Sequence, residues 1–495
     1  MKKLISVMLL LSMLITAAAC SGESSADETA AADTTAGSQA ETTTVSETLY
    51  VEDDLPDDLN FEGSDVKIIT RNLNTPYIEL NASEQNGDIV NDAVYERNLA
   101  VEQRLNAKLV LTEIPGNSTK RHEWTAYVGK SVQSGSGDFD LVSGYSRSVT
   151  SCSTAGYIID LTDIEYLDFE KPWWPENIVK DLSTNGKIFF CSGDISPMLI
   201  NSIMCVYFNQ DLIEDHGLES PYQFVKDGSW TIDKFMKMSD GIYNDINGDG
   251  VRNFEDNLGF CAYGIYTDAF FFGAGLHVTE QGSDGVQHIS DTFGSEKTHN
   301  VVETLNSFFK TQNAYLGYGA DVQSPSYMNF PEGRSVFTVH RLVYVMTHLR
   351  DMEDTYGILP FPKYDEAQEN YVSTVDYDMH LYGIPMDAKN LELSGAVLEC
   401  LASESYRTVS PALFEVALKV KYSHDLESAE MYDILRSTVS FDFGRLYNDD
   451  FGGLTYSLFR NAMLADTVNW TSTYAANETK LKTTLDTINE KLLAN

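Results

Sequence analysis

Along residues 61–145, segments in which apolar positions recur every second residue alternate with segments in which they recur every three to four residues. Runs of period two predict strands, and longer runs with apolar positions three and four apart predict helices. The predicted helices are Asp92–Leu105 and a stretch containing Trp124–Val132, and the predicted strands are Val66–Ile69, Lys108–Glu113 and Phe139–Val142. The regular alternation of strands and helices along the chain indicates a mainly parallel sheet with helices on its faces.

Polar and aromatic side chains follow two of these predicted strands. Arg71 and Asn72 come after the first strand, and the segment Ser143–Tyr145 comes after the third. Ligands of parallel sheets bind at loops beyond the carboxyl ends of the strands. We therefore expect Arg71 and Tyr145 at a ligand site.

Later blocks of the chain arrive in an order that resembles one known family. The blocks are Asp138–Val142, Gly156–Asp163, Gly186–Phe189, Val206–Leu212, Gly228–Thr231, Phe330–Phe337, Tyr356–Lys363 and Tyr382–Pro385. Over residues 61–420 this order is similar to that of the family 1 extracellular solute-binding proteins of bacterial ABC transporters. The resemblance implies an α/β fold of the periplasmic-binding-protein-like type II, with two lobes joined by hinge strands that close over a ligand. By the same resemblance, lobe one holds residues 61–192 and 376–403, and lobe two holds residues 193–375 and 404–495.

The amino terminus has the parts of an export signal. Lys2 and Lys3 precede the apolar run Leu4–Ile15, and three alanines lead to Cys20. This pattern predicts a signal peptide over residues 1–19. Cys20 resembles the lipidated cysteine of a bacterial lipobox, and an ordinary signal peptide with an incidental cysteine is the alternative. The Ser, Thr, Ala and acidic composition of residues 20–60 predicts a disordered tether, which places the folded part on the outer face of the membrane.

The charge of the chain narrows the classes of partner. There are 74 acidic against 34 basic residues, which gives a formal net charge of −40. Such a charge argues against nucleic acid and against an anionic membrane surface, since both need basic side chains. The cysteines beyond Cys20 show no disulfide spacing and are expected to be small buried residues; they are Cys152, Cys191, Cys205, Cys261 and Cys400.

One segment fits the calcium loop of EF-hands. Oxygen-bearing residues stand at its positions 1, 3, 5, 9 and 12, and Gly250 at position 6 permits the sharp turn. We expect a structural Ca²⁺ ion with the ligands Asp245, Asn247, Asp249, Val251 (through its carbonyl), Asn253 and Asp256. Position 12 is Asp where Glu is usual. A metal-free Asn-Asp-Gly turn is the alternative.

The residues predicted to contact a ligand are aromatic and polar. Aromatic rings stack on the C–H faces of sugars, and the aromatic residues are Tyr145, Trp173, Trp174 and Trp470. Trp470 lies in a polar stretch, which favours exposure, and core packing is the alternative for all four. The resemblance places the polar residues Arg71, Arg147, Arg341 and Asp376 where strand-end loops approach the cleft; surface positions or ion pairs are their alternative.

The sequence lacks two common enzyme motifs. Trp124 stands where a phosphate-binding loop ending at Gly129–Ser131 needs glycine, and no Gly-x-Ser-x-Gly elbow occurs. We therefore predict a monomeric, lipid-anchored solute receptor without enzymatic activity, which captures a mono- or oligosaccharide and delivers it to an ABC transporter permease. A surface glycan-binding lipoprotein without a permease and a secreted glycoside hydrolase are the alternatives.

Overall fold

The computed structural model describes residues 51–494 except 75 and 422–424, so the predicted signal peptide, Cys20 and most of the tether lie outside the described residues. The strands are β1 Ser64–Arg71, β2 Ala107–Ile114, β3 Leu141–Tyr145, β4 Met204–Asn209, β5 Leu258–Tyr263, β6 Thr279–Gln281, β7 Gln287–Ile289, β8 Ala314–Gly317, β9 Ser335–Arg341, β10 Tyr356–Leu359, β11 Ser373–Thr374, β12 His380–Gly383 and β13 Val439–Ser440. The helices are α1 Ile89–Leu105, α2 Arg121–Ser134, α3 Ser146–Thr154, α4 Glu176–Leu182, α5 Pro197–Asn201, α6 Gln210–Asp215, α7 Pro221–Lys226, α8 Ile232–Met238, α9 Ala269–Gly273, α10 Glu296–Phe309, α11 Ala320–Met328, α12 Tyr344–Thr347, α13 Leu391–Glu404, α14 Leu426–Ser437, α15 Phe443–Leu446, α16 Leu454–Leu464 and α17 Trp470–Ala494.

A four-stranded sheet forms the first half of the fold, and we call it and the helices packed on it lobe one. Its strand order is β12-β3-β1-β2, with β1 parallel to both β2 and β3. The sequence pattern predicted this parallel arrangement. β12 joins the edge antiparallel to β3, so the chain returns to this sheet late. Helix α1 begins after Asp88, whose carboxylate caps the amides of Val90 and Asn91.

A five-stranded sheet forms the second half, which we call lobe two. Its strand order is β10-β4-β9-β5-β8; β9 is parallel to β5 and antiparallel to β4. Aromatic residues fill its core, among them Phe235, Phe260 and Phe337. Trp230 is fully buried there and donates its indole N–H to the Pro360 carbonyl at 3.0 Å.

The chain passes between the two sheets three times. The first and second passages run side by side, since Ile203 pairs with Val375 and the Asp376 amide donates to the Ser202 carbonyl at 2.8 Å. At the start of the first passage, a Cβ on Gly193 would lie 2.3 Å from the Trp173 carbonyl oxygen, so only glycine fits. The third passage leaves α13 and continues as π-helical turns over residues 405–409 and 412–421.

Residues 51–61 belong to the folded body, so the predicted end of the tether near residue 60 lies too late. Leu55 and Phe61 are buried in the core of lobe one. The Asp53 carboxylate pairs with Arg104 at 2.6 Å and with Arg407 at 3.2 Å. The polar composition of this segment gave no sign of the packing, because ion pairs and only two buried apolar side chains hold it on lobe one.

The five cysteines in the described part are buried and carry free thiols, as the sequence predicted. None of the helices of the described residues is both long and apolar enough to span a bilayer.

Candidate functional site

Side chains from the strand ends of both sheets meet on one carboxylate. Arg71, the last residue of β1, binds Asp378 through Nη1–Oδ1 at 2.6 Å and through the Asp378 carbonyl at 2.5 Å. Arg341, the last residue of β9 in the other sheet, binds the second oxygen of Asp378 at 2.5 Å. Asp378 itself lies in the second passage between the sheets, just before β12. The contact therefore joins lobe one, lobe two and the hinge.

A buried histidine supports Arg71 from below. Arg71 Nε donates to Nε2 of His380 at 2.6 Å, so Nε2 accepts and the proton of the neutral ring lies on Nδ1. Nδ1 is 3.0 Å from the Ser143 hydroxyl, to which it donates. Burial, and then the charge of Arg71, hold the pKa of His380 well below its usual value. The ring therefore positions Arg71 without adding charge.

The two aspartates of the hinge segment have different electrostatic surroundings. Burial raises the pKa of Asp378, but the Arg71 and Arg341 guanidiniums outweigh burial and bring this pKa below its usual range. Burial raises the pKa of Asp376. The positive charge of Arg341, 3.6 Å away, lowers this pKa but does not outweigh burial. Asp378 is thus the firmly ionised member of the pair.

A second ion-pair group connects lobe one with the carboxyl-terminal helices. Asp449 lies between α15 and α16, and α16 packs on α10 of lobe two. Its carboxylate binds Arg121 Nε at 2.6 Å and also pairs with Arg147. Arg121 and Arg147 belong to α2 and α3 of lobe one. One carboxylate therefore links the two sides of the cleft a second time.

Tyrosine rings lie among these arginines. The guanidinium of Arg445 lies 4.2 Å from the ring centre of Tyr377, and that of Arg147 lies 5.1 Å from the same ring. Tyr77, half-buried in the loop after β1, receives a hydrogen bond from Arg341 at 3.4 Å. Tyr456 is also half-buried, and its ring centre is 6.3 Å from that of Tyr377. Tyr77 and Tyr456 are rings on which an apolar sugar face could stack.

Five of the predicted ligand contacts come together in this cleft. Arg71, Arg341 and Asp376 surround Asp378, and the ring of Tyr145 lies 5.5 Å from the Arg71 guanidinium. Arg147 lies beside Tyr377. Whether each residue contacts a ligand stays a prediction.

The three predicted tryptophans lie elsewhere, in the cores. Trp173 and Trp174 are buried, and their indole N–H groups donate to the two oxygens of Glu399 at 3.0 and 3.1 Å. Trp470 is fully buried and donates to the Phe293 carbonyl at 3.1 Å, so its predicted exposure is wrong. The packing alternative applies to all three, because each indole has its hydrogen-bond partner inside the protein.

The cleft also contains residues that the sequence pattern did not indicate: Tyr77, Arg121, Tyr377, Asp378, Arg445, Asp449, Tyr456 and Arg460. A signal existed for Asp378, since it follows Asp376 by two residues directly before a strand that returns to the first sheet. A signal also existed for Tyr77, since it lies in the loop after β1 and ligands of parallel sheets bind at loops beyond the carboxyl ends of strands. The carboxyl-terminal residues carry no local signal.

The predicted calcium loop is a surface loop before β5. Asp245 accepts from the Gly248 and Gly250 amides at 2.7 and 2.9 Å, and both glycines have positive φ. Asp256 is fully buried; its Oδ2 accepts from the Asn253 amide, and its Oδ1 has no hydrogen-bond partner among the described residues. Within the same described part of the chain, no three Asp, Glu, His or Cys side chains lie close enough together to hold a metal ion.

Comparison of the structure with solved structures gives the fold class. The chain is similar to a cyclo/maltodextrin-binding protein complexed with maltotetraose, with a TM-score of 0.53 and 13% identity over 88% of this chain and 98% of that one. It is similar to an ABC substrate-binding protein of Listeria monocytogenes in complex with cycloalternan, with a TM-score of 0.52 and 13% identity over 87% and 99% of the chains. A sugar transporter protein of Rhizobium etli in an open conformation matches with a TM-score of 0.52 and 13% identity over 87% and 100%.

These matches define a periplasmic-binding-protein-like fold. No protein-family model matches the chain, and no curated protein matches its sequence. The particular family that the sequence resembles therefore stays a prediction.

Proposed function

We propose that this chain is an extracellular solute receptor that captures a mono- or oligosaccharide between its lobes and delivers it to an ABC transporter permease. The observation that carries the proposal is the meeting of Arg71 and Arg341 on Asp378, because it places strand ends of two separate sheets around one point at the hinge. Ligands of such sheets bind at strand ends. The similar solved structures include proteins whose ligands are maltotetraose and cycloalternan.

The capture step follows from this geometry. Half-buried Tyr77 and Tyr456 offer ring faces, and the arginines offer hydrogen-bond donors for sugar oxygens. Closure of the lobes would exclude water from these hydrogen bonds and so strengthen them.

The test is a thermal-shift and calorimetric screen of the chain without residues 1–20 against mono- and oligosaccharides. A saturable rise in melting temperature with one class of sugar, without release of shorter products, is the expected result. X-ray scattering with and without that sugar should show a smaller radius of gyration in the complex. A chain that binds no sugar but binds peptides or other solutes would refute the saccharide assignment.

The glycoside hydrolase alternative has one observation in its favour. Asp376 and Asp378 lie in one segment with pKa values shifted in opposite directions, which is a feature of acid and base pairs. Against it, Asp378 is held by two arginines and is not free to attack a sugar. Appearance of new reducing ends from a bound oligosaccharide would establish the hydrolase instead of the receptor.

Two partners complete the proposal. A lipid on Cys20 would hold the receptor at the outer face of the membrane, which mass spectrometry of the membrane fraction and a Cys20→Ala variant released into the medium would test. Co-purification with a membrane-spanning transporter in the presence of sugar tests the permease. Membrane attachment without any transporter partner would favour the glycan-binding lipoprotein alternative.

We also propose that Ca²⁺ binds the loop over residues 245–256. The buried and unpartnered Oδ1 of Asp256 supports this, since an ion would supply its missing partner. The ligands would be those expected from the sequence, and the ion would be structural. Because no three acidic side chains of the described loop lie close together in the structure, the loop would have to rearrange around the ion. Removal of calcium with a chelator should lower the melting temperature of the unmodified chain and leave that of an Asp256→Asn variant unchanged. An unmodified chain that is indifferent to chelator would contradict the site.

A further inference from the structure

Four arginines of the cleft have a donor without an acceptor. Among the described residues, no hydrogen-bond acceptor lies within reach of the buried Nε–H groups of Arg147, Arg341, Arg445 and Arg460. The buried hydroxyl of Tyr377 also has no partner there. An unpaired buried donor costs about 1–3 kcal/mol, so several in one place are a signal that something else accepts from them.

These donors belong to one cluster around Tyr377. Arg147 and Arg445 contact its ring from 5.1 and 4.2 Å. The Arg460 guanidinium lies 3.4 Å from the ring centre of Tyr456, which is itself 6.3 Å from Tyr377. Arg341 adjoins the cluster through Asp376, the residue before Tyr377, whose carboxylate lies 3.6 Å away. Arg341 ends β9 and Arg147 follows β3, so the cluster adjoins the strand ends of the candidate ligand site, and Arg445 and Arg460 reach it from α15 and α16.

Three carboxylates of the cleft are already bound by arginines. Asp378 holds Arg71 and Arg341, Asp449 holds Arg121 and Arg147, and Asp268 lies 3.4 Å from Arg445. A neutral sugar needs acceptors for its hydroxyl protons as well as donors for its oxygens. Here four Nε–H donors of the described cleft have no partner, and Asp376, 3.6 Å from Arg341, is the carboxylate that remains as an acceptor. A ligand that brings charged acceptor oxygens fits this imbalance better, because arginine binds carboxylate and similar groups strongly and in two-point fashion.

Resting on the proposed function, we infer that the saccharide is anionic and carries a carboxylate or a sulfate ester, which the cluster of Arg147, Arg341, Arg445 and Arg460 binds. The composition strengthens the inference. Six of the 13 arginines of the chain lie at this cleft, although the chain as a whole carries a net charge of −40. A strongly acidic protein that gathers its arginines in one place has a local use for positive charge.

Matched sugars that differ only at carbon 6 test this inference. Glucose, galactose and mannose are compared with their uronates and their 6-sulfates, and the hexoses and uronates also as trisaccharides, by calorimetry on the chain without residues 1–20. We expect one charged form to bind about 100-fold more tightly than its neutral counterpart, as two charge-assisted hydrogen bonds would give. The uronate and sulfate arms tell which group is the source of the charge.

The other outcomes separate the two proposals. A neutral sugar that binds as tightly as its charged forms would overturn the anionic inference and leave the saccharide receptor standing. A panel in which no sugar binds would overturn both.

An Arg460→Gln variant tests the cluster itself. It should lose about 10-fold in affinity for the charged sugar, the value of one charge-assisted hydrogen bond. An Arg350→Gln variant, which changes an exposed arginine, is the matched control and should bind as the unmodified chain does. Equal affinity of the Arg460 variant for charged sugar would contradict the role of that arginine. If the variant fails to fold, the comparison of matched sugars on the unmodified chain still decides the inference.

Discussion

The carboxylate that two arginines share should contribute measurably to the stability of the fold. In an Asp378→Asn variant, the buried Arg71 side chain loses its ion pair, while its hydrogen bonds to His380 and to the backbone carbonyl of residue 378 persist. Removing one partner of a fully buried ion pair costs about 3–5 kcal/mol. The Asp378 side chain is 25% exposed, so water offsets part of that cost. We expect the free energy of unfolding to fall by about 2 kcal/mol at pH 7.

The same residue predicts how this difference changes with pH. The pKa of Asp378 is lower in the folded chain than in the unfolded one, so its stabilisation is present in full above the unfolded value of about 4. It is lost as pH falls from there through the folded value. The difference between the unmodified chain and the variant should therefore be constant from about pH 8 to pH 5 and shrink below about pH 4.

Urea unfolding of both chains across this pH range is the assay. Asp57→Asn, which changes an exposed aspartate, is the matched control for the change of charge. A loss at pH 7 below about 0.5 kcal/mol, the range of ordinary surface substitutions, would refute the reasoning. So would a difference that stays the same below pH 4.

Three further predictions concern other parts of the fold. Asp449→Asn removes the carboxylate that pairs with Arg121 and Arg147 and should enlarge the radius of gyration of the chain without sugar; an unchanged radius would argue against a link across the cleft. Burial raises the pKa of Glu79 to about 7, so its neutral form stabilises the fold below the unfolded value of about 4.5 and this contribution is lost as pH rises through 7. The unfolding free energy of the unmodified chain relative to Glu79→Gln should then fall by about 3 kcal/mol from pH 4 to pH 8, and a parallel pH dependence of the two chains would contradict this. Trp470→Phe should cost about 2 kcal/mol of stability through the lost bond to Phe293 and leave sugar affinity unchanged; a variant of normal stability with weaker binding would return Trp470 to the site.

Local patterns were sufficient to predict the strand ends of the cleft. Arg71 and Tyr145 each follow an apolar run, and the end of a strand depends mainly on the residues near it; Arg341 was placed there by the family resemblance. The parallel first sheet follows in the same way, because strand and helix alternate along the chain.

Partners distant in the sequence could not be predicted. Arg71 and Asp378 are 307 residues apart, and no local pattern indicates that they bind each other. Trp173 is 226 residues from Glu399, whose buried carboxylate makes the core an acceptable place for the indole N–H. Without a buried acceptor, an indole N–H favours a position at the surface. The Trp173–Trp174 pair is therefore predicted from the sequence as a surface on which a sugar stacks.

The position of Asp53 decides which part of the protein would carry a mechanical load. Its carboxylate joins the first described residues to Arg104 of α1 and to Ser403 and Arg407, where the third passage begins. A pull on the chain from its amino-terminal side would therefore be borne first by lobe one, and would reach lobe two through the hinge passages and through the ion pairs of Asp449. Under the proposed function, lobe one would then be the fixed half, and lobe two would be the half that moves when the receptor closes on its solute.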